Sequence, residues 1–327
     1  MRVGLLGLGR IGAFHAATLA AHPEVGELVV SDADAARAGR IAARVGARVG
    51  DAFDADAVVV ATPTATHAEL ILRACAAGLP VFCEKPVAPT LEETTRVAEA
   101  ARDGGTLVHI GFQRRFDAGY AAARAALRGG ELGDLHRVHM LTADPCPPAP
   151  EYVPRSGGIF RDCHIHDFDI LRWVTGREVV SVYATGANRG AAFFAEAGDV
   201  DTSAALLTLD DGTLVTLQGS RYNGNGYDVR MELAGTRRTI VAGLDDRVPL
   251  ASAEPDAAFP KGDPWPDFGE RFEPAYVAEI GAFLAAVRDG GPSPCTAGDA
   301  LAALRIAEAA ELSRRTGGPA RVDEVTA

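Results

Sequence analysis

Residues 2–32 constrain this chain more than any other stretch. Arg-Val-Gly-Leu-Leu (2–6) has the pattern of a short apolar strand, and Gly7-Leu8-Gly9-Arg10-Ile11-Gly12 follows without a gap. Ala13 to Ala21 then reads as a helix, and a second apolar stretch, Glu27 to Ser31, ends in Asp32. That acid falls about twenty residues past the glycines, the separation a dinucleotide fold requires. Each glycine answers a separate demand: Gly7 permits the tight turn, Gly9 lets a pyrophosphate approach the backbone, and Gly12 lets helix and strand pack closely. The helix N-terminus adds N–H groups and positive dipole. Strand, turn, helix and acid in this order predict a dinucleotide site held by Gly7, Gly9, Arg10, Ile11, Gly12 and Asp32. Asp32 would accept hydrogen bonds from the adenosine ribose and repel a 2′-phosphate, so NAD is expected over NADP. Arg37 has the reach to meet a 2′-phosphate, but its position suits a solvated helix face.

The alternation continues. Ala57 to Ala61 is a buried-type strand, with a helix from Ala68 to Ala77. A strand begins at Pro80 to Phe82 and closes on Cys83-Glu84-Lys85-Pro86; a helix (Leu91 to Arg102) and a strand (Thr106 to Gly111) follow. Repeated strand–helix–strand units predict a parallel, doubly wound Rossmann sheet over residues 1–117. Ligands bind at the carboxyl ends of such strands, which brings in Thr62, Pro63, Glu84, Lys85 and Gln113. His67 joins them, although a residue at a helix start needs no ligand to explain it. Lys85 precedes a proline, which holds its backbone extended or in a turn. A lysine there could hydrogen-bond a substrate hydroxyl; a surface turn would also accommodate it.

Residues 118–327 read as a second, α+β domain for substrate binding and oligomerisation. A helix (Asp117 to Arg128) leads into a strand (Leu135 to Thr142) and a Pro-rich excursion, 144–150, which is either a rigid surface loop or one wall of the pocket. Asp162, His164, His166, Asp167 and Asp169 then crowd into eight residues beside an apolar run. On one helix, Asp162 and His166 share a face at i and i+4, and His164 points away from both. A carboxylate beside an imidazole is half of a proton-transfer site. Period-two segments follow: Val179 to Thr185, Ser203 to Leu209, Thr213 to Gly219 and Tyr227 to Leu233, with Asp210-Asp211-Gly212 as a hairpin turn. They predict a large, mostly antiparallel open sheet whose exposed face packs against another subunit. Residues 245–274 read as a long loop or lid, and helices Ala275 to Arg288 and Ala297 to Arg315 end the pattern.

Composition narrows the partners. A net charge of −12 argues against a nucleic-acid or acidic-membrane partner. Five scattered cysteines without a CxxC read as reduced thiols in a cytoplasmic protein. No apolar run approaches the ~18 residues of a membrane span. His164-Ile165-His166 with Asp162 and Asp169 could be a metal cluster, as in a hydrolase, but a helix splits the histidine pair, so no metal is expected. A non-catalytic NAD-binding regulator is the other rival.

Taken in order, GLGRIG, Thr62-Pro63 with His67, Glu84-Lys85-Pro86, and an Asp four residues before a His resemble the Gfo/Idh/MocA oxidoreductases over essentially the whole chain. Residues 111–117 (GFQRRFD), 156–169 (SGGIFRDCHIHDFD), 198–202 (GDVDT) and 226–230 (GYDVR) look most like the bacterial inositol 2-dehydrogenases of that family. The resemblance implies Lys85, Asp162 and His166 as the catalytic set, acting on a ring hydroxyl of a polyol or sugar with NAD and without metal. It also implies a homotetramer and a cis peptide at Lys85–Pro86. Some members of the family act on anhydrosugars or scyllo-inositol, or use NAD transiently to cleave glycosides. Tyr222 and Tyr227 are candidate substrate contacts, or ordinary sheet aromatics. Two positions depart from the pattern: Gln113 replaces the usual Asn, and Ala143 stands where inositol enzymes often carry Arg.

Overall fold

The computed structural model describes residues 1–257 and 259–326; Ala258, within the span read as a long loop, lies outside them. The chain divides into two compact units, one of residues 1–113 and 276–302, the other of 114–275 and 303–326.

The first unit alternates as the sequence predicts: β1 (Arg2–Leu6), α1 (Arg10–Ala21), β2 (Glu27–Ser31), α2 (Ala35–Val45), β3 (Arg48–Val49), β4 (Ala57–Val60), α3 (His67–Ala76), β5 (Val81–Glu84), α4 (Leu91–Gly104) and β6 (Val108–Gly111). Among the described residues six parallel strands form one sheet in the order β3-β2-β1-β4-β5-β6. The chain winds outward from β1 in both directions, so the crevice opens beyond the carboxyl ends of β1 and β4. Val58, Val59 and Val60 are fully buried, as a central parallel strand covered on both faces requires.

The second unit contains α5 (Ala118–Arg128), β7 (Leu135–Ala143), α6 (Val153–Ser156), α7 (Ile159–Asp162), α8 (Ile165–Thr175), β8 (Val179–Ala187), α9 (Phe193–Glu196), β9 (Thr202–Leu209), β10 (Leu214–Ser220), β11 (Asp228–Gly235) and β12 (Thr239–Ala242). Then come α10 (Phe268–Asp289), α11 (Ala297–Thr316) and β13 (Ala320–Arg321). The later part of α10 and the start of α11 are counted with the first unit, where Ile280, Phe283 and Leu284 join the apolar core of β1, β2 and α1. Among the described residues the second sheet has seven strands, in the order β12-β11-β7-β10-β9-β8-β13. It is antiparallel except where β10 pairs parallel with β7. One face is buried through Val138, Met140, Leu207, Val215, Leu217 and Met231; on the other, Tyr183, Leu206 and Leu214 stand 45–52% exposed.

Two local expectations change. The long loop ends seven residues early, because Asp267 caps α10: its carboxylate accepts from the Glu270 N–H at 3.0 Å, and Pro274 lies inside the helix. The single helix expected through Asp162 and His166 is broken. Cys163 N–H bonds Ile159 O, but His164 N–H reaches back to the same oxygen and His166 N–H bonds Cys163 O. The hydrogen-bond register therefore slips between α7 and α8, and the i, i+4 geometry does not apply.

Candidate active site

At the carboxyl edge of the first sheet, Gly7 has φ +86°, a conformation that favours glycine, and a Cβ on Gly12 would lie 1.9 Å from the Gly7 carbonyl oxygen. Gly9 is different: a Cβ there would meet nothing within 4 Å. It caps α1 without a side-chain hydrogen bond to the first helical N–H groups, leaving an open, uncapped helix start. Asp32 accepts from Leu8 N–H at 2.7 Å and Asp34 N–H at 2.8 Å, so the acid also holds the glycine loop. Burial would raise its pKa, but those two N–H groups and Arg37 outweigh it and hold the carboxyl below the usual range. Arg37 is thus not merely solvated; its guanidinium lies 3.3 Å from Asp32.

Lys85 follows the last residue of β5 and precedes a cis peptide to Pro86. Glu84 places its carboxylate 2.6 Å from His15 Nε2 on α1. His67 is 1% exposed, with Nδ1 2.8 Å from the Pro86 carbonyl and Nε2 2.7 Å from the Thr62 carbonyl. Carbonyl oxygens only accept, so each bond the ring makes here is one it donates. At the end of β6, Gln113 is buried and its Oε1 has no hydrogen-bond partner among the described residues.

In the second unit Asp162 ends α7. Its carboxylate accepts from the Arg221 guanidinium at 2.7 Å and from the Tyr152 hydroxyl at 2.8 Å. Arg221 also reaches Asp144 at 3.0 Å. Burial disfavours that cation, but Cys163, Asp162 and Asp144 more than compensate, and its pKa lies above the ordinary value. A guanidinium therefore stands beside Asp144 although Ala143 supplies none. His166 lies in the first turn of α8, partly exposed.

The segment carrying His166 is anchored from beneath. Asp167 is buried and accepts from Arg114 at 2.5 Å and Thr142 at 2.8 Å, with His164 Nδ1 at 2.7 Å. His164 Nε2 lies 2.8 Å from the Ser203 hydroxyl, and a Cβ on Gly219 would sit 2.3 Å from that nitrogen. Ser203, His164 and Asp167 are aligned like a nucleophilic triad, but all three are 3% exposed or less, so the alignment is a scaffold. Burial would raise the Asp167 pKa; Arg114 and His164 override it and hold it below the usual range. The stability this adds is present above the unfolded pKa of about 3.9 and lost as pH falls through the folded value. Asp167→Asn is expected to cost about 3–5 kcal/mol near neutral pH, because it strands a buried guanidinium. In urea unfolding the gap from wild type should narrow near pH ~3; a gap independent of pH would contradict the pairing.

The chain matches two family models, the oxidoreductase family's NAD-binding Rossmann fold over residues 1–112 and the GFO/IDH/MocA C-terminal domain over 120–241. A myo-inositol dehydrogenase of Streptomyces leeuwenhoekii is 39% identical, the alignment covering 97% of this chain and 98% of the relative. The chain belongs to the Gfo/Idh/MocA oxidoreductases. An NAD(+)-dependent scyllo-inositol 2-dehydrogenase of Bacillus subtilis is 35% identical over 99% of this chain and 96% of its own length. A scyllo-inositol dehydrogenase structure from Lactobacillus casei, with bound NAD(H) and scyllo-inositol, superposes with TM-score 0.89 at 28% identity, over 99% of each chain.

NAD is the cofactor of this Gfo/Idh/MocA chain, and the residues present fit it. The open helix start at Gly9 leaves room for a pyrophosphate, Asp32 sets a carboxylate against the glycine loop for ribose hydroxyls, and the buried Gln113 Oε1 offers an acceptor at a strand end. Tyr222 turns its hydroxyl to accept from Ala191 N–H at 3.0 Å. Tyr227 is buried edge-on to Phe272, and burial pushes its hydroxyl pKa up. Sequence reading missed Arg221, Tyr152 and His15. Arg221 was within reach, since it follows β10 and strand ends gather ligands; the other two carry no local signal. Among the described residues no three His, Cys, Asp or Glu side chains gather as a metal site, and no helix is long and apolar enough to cross a membrane.

Proposed function

We propose that this chain is an NAD-dependent inositol dehydrogenase that oxidises a secondary ring hydroxyl of a cyclic polyol, with myo-inositol to its 2-keto product as the leading reaction. Its near full-length identity to enzymes named for that reaction carries the reading. Residues 1–117 bind NAD and residues 118–327 bind the polyol.

Lys85, Asp162 and His166 are the catalytic set. Lys85 donates a hydrogen bond to the reacting hydroxyl and stabilises negative charge as it develops on that oxygen. The His166 imidazole takes the hydroxyl proton. Asp162 orients and tunes that imidazole, while Arg221 and Tyr152 fix the carboxylate. When bound, NAD supplies the acceptor for the hydride leaving the carbinol carbon. Arg10, Ile11, Thr62 and Pro63 complete the cofactor contacts, His67 and Glu84 shape their edge, and Tyr222 and Tyr227 border the polyol.

The second reading is scyllo-inositol, the substrate named for two of the relatives. Turnover of myo-inositol, scyllo-inositol, glucose and an anhydrosugar with NAD decides between them. Preference for an inositol supports the proposal; turnover of the anhydrosugar alone overturns it. We also propose a cytoplasmic homotetramer packed through the sheet face that exposes Tyr183, Leu206 and Leu214. Light scattering should give the mass of four chains; a monomer's mass would contradict it.

A further inference from the structure

Two buried imidazoles converge on the turn that carries Lys85. His15 is 0% exposed on the buried stripe of α1 that also holds Gly12, Ala16 and Leu19. Its Nε2 is 2.6 Å from Glu84 Oε1, its Nδ1 has no hydrogen-bond partner among the described residues, and its ring meets Phe82 edge-on at 5.5 Å. His67, 1% exposed at the start of α3, places its ring between the carbonyls of Thr62 and Pro86. One histidine thus holds the side chain of the residue before Lys85, and the other holds the main chain of the residue after it. β5 ends at Glu84 and its last ladder partner is Gly111, so Lys85 and Pro86 lie beyond the sheet register. Pro86 has no N–H to anchor them. The imidazoles take over where the ladder stops.

We propose that His15 and His67 are positioning residues that together fix the Glu84-Lys85-Pro86 turn and so aim the Lys85 ammonium. This rests on the reading of Lys85 as the group that acts on the reacting hydroxyl. Leucine at either site would fill the space without holding the turn. A lysine has four rotatable carbons and no rigidity of its own, so the direction of its stem depends on its backbone. A misplacement of about 1 Å at a reacting group costs roughly 100-fold in rate.

The test is a double-mutant cycle on the full chain. His15→Leu and His67→Leu are each expected to lower kcat about 10- to 100-fold, with KM and NAD affinity within about threefold. His15→Gln and His67→Asn, which keep a donor at each site, should recover much of the loss. The deciding readout is the Lys85→Met background. If the histidines act through Lys85, adding His67→Leu to Lys85→Met lowers kcat no further. A full, additive loss in that background overturns the proposal, as does unchanged kcat in both single variants. Failure of the Lys85 reading is separate: Lys85→Met alone would then keep wild-type turnover. Loss of NAD binding in folded leucine variants would also overturn it, since the histidines would then serve the cofactor and not Lys85.

Discussion

Lys85→Met is expected to lower kcat/KM for the polyol by about 1000-fold while NAD affinity changes by less than about threefold. Methionine keeps the length and apolar stem of lysine and removes only the ammonium. Two anchors of the turn, Glu84 to His15 and Pro86 to His67, do not involve that charge. The ammonium matters most when negative charge appears on the substrate oxygen, and the loss should therefore fall on kcat more than on KM. Titration with NAD and steady-state rates separate the two effects. Wild-type turnover in the variant would remove Lys85 from the mechanism.

Asp32→Ser is expected to shift the preference between NAD and NADP toward NADP by roughly 10- to 150-fold, the worth of about 1.5–3 kcal/mol in charged hydrogen bonds. Two effects act in the same direction. The carboxylate that would repel a 2′-phosphate is gone, and Arg37, now 3.3 Å from Asp32, is released to meet that phosphate. Serine rather than alanine is the informative change, because its hydroxyl can still accept from Leu8 N–H, the bond that steadies the glycine loop. The ratio of kcat/KM for the two cofactors checks it. An unchanged ratio would remove Asp32 from ribose recognition. Adding Arg37→Ala should abolish the NADP gain if the guanidinium is its source.

The N-terminal half was legible because its signals are local. Strand, GLGRIG, helix and Asp32 lie within one stretch, and β4, β5 and β6 are apolar runs closed by turns. The open sheet was legible from period-two patterns, though β12 and the two-residue β13 are too short to show one, as is β3 at the edge of the parallel sheet. What stayed hidden depends on distance along the chain. Arg221 meets Asp162 59 residues away, and Arg114 meets Asp167 53 residues away; no spacing rule connects such pairs. The helix break after Asp162 has a related cause. His164 turns its ring into the core to meet Asp167 and Ser203, and this tertiary pull competes with a regular hydrogen-bond ladder. Pro274 misled in the other direction: it closes the span that reads as a loop, but Asp267 had already capped α10.

The most direct measurement is the initial rate of NADH formation by the purified chain with NAD and myo-inositol, run beside scyllo-inositol and beside NADP. Saturable, polyol-dependent NADH formation matched by an equal amount of keto-inositol is the predicted result. No NADH with either inositol, in protein that is folded and binds NAD, would contradict inositol oxidation and move attention to Gln113, Ala143 and the Arg221–Asp144 pair as the residues that redirect specificity.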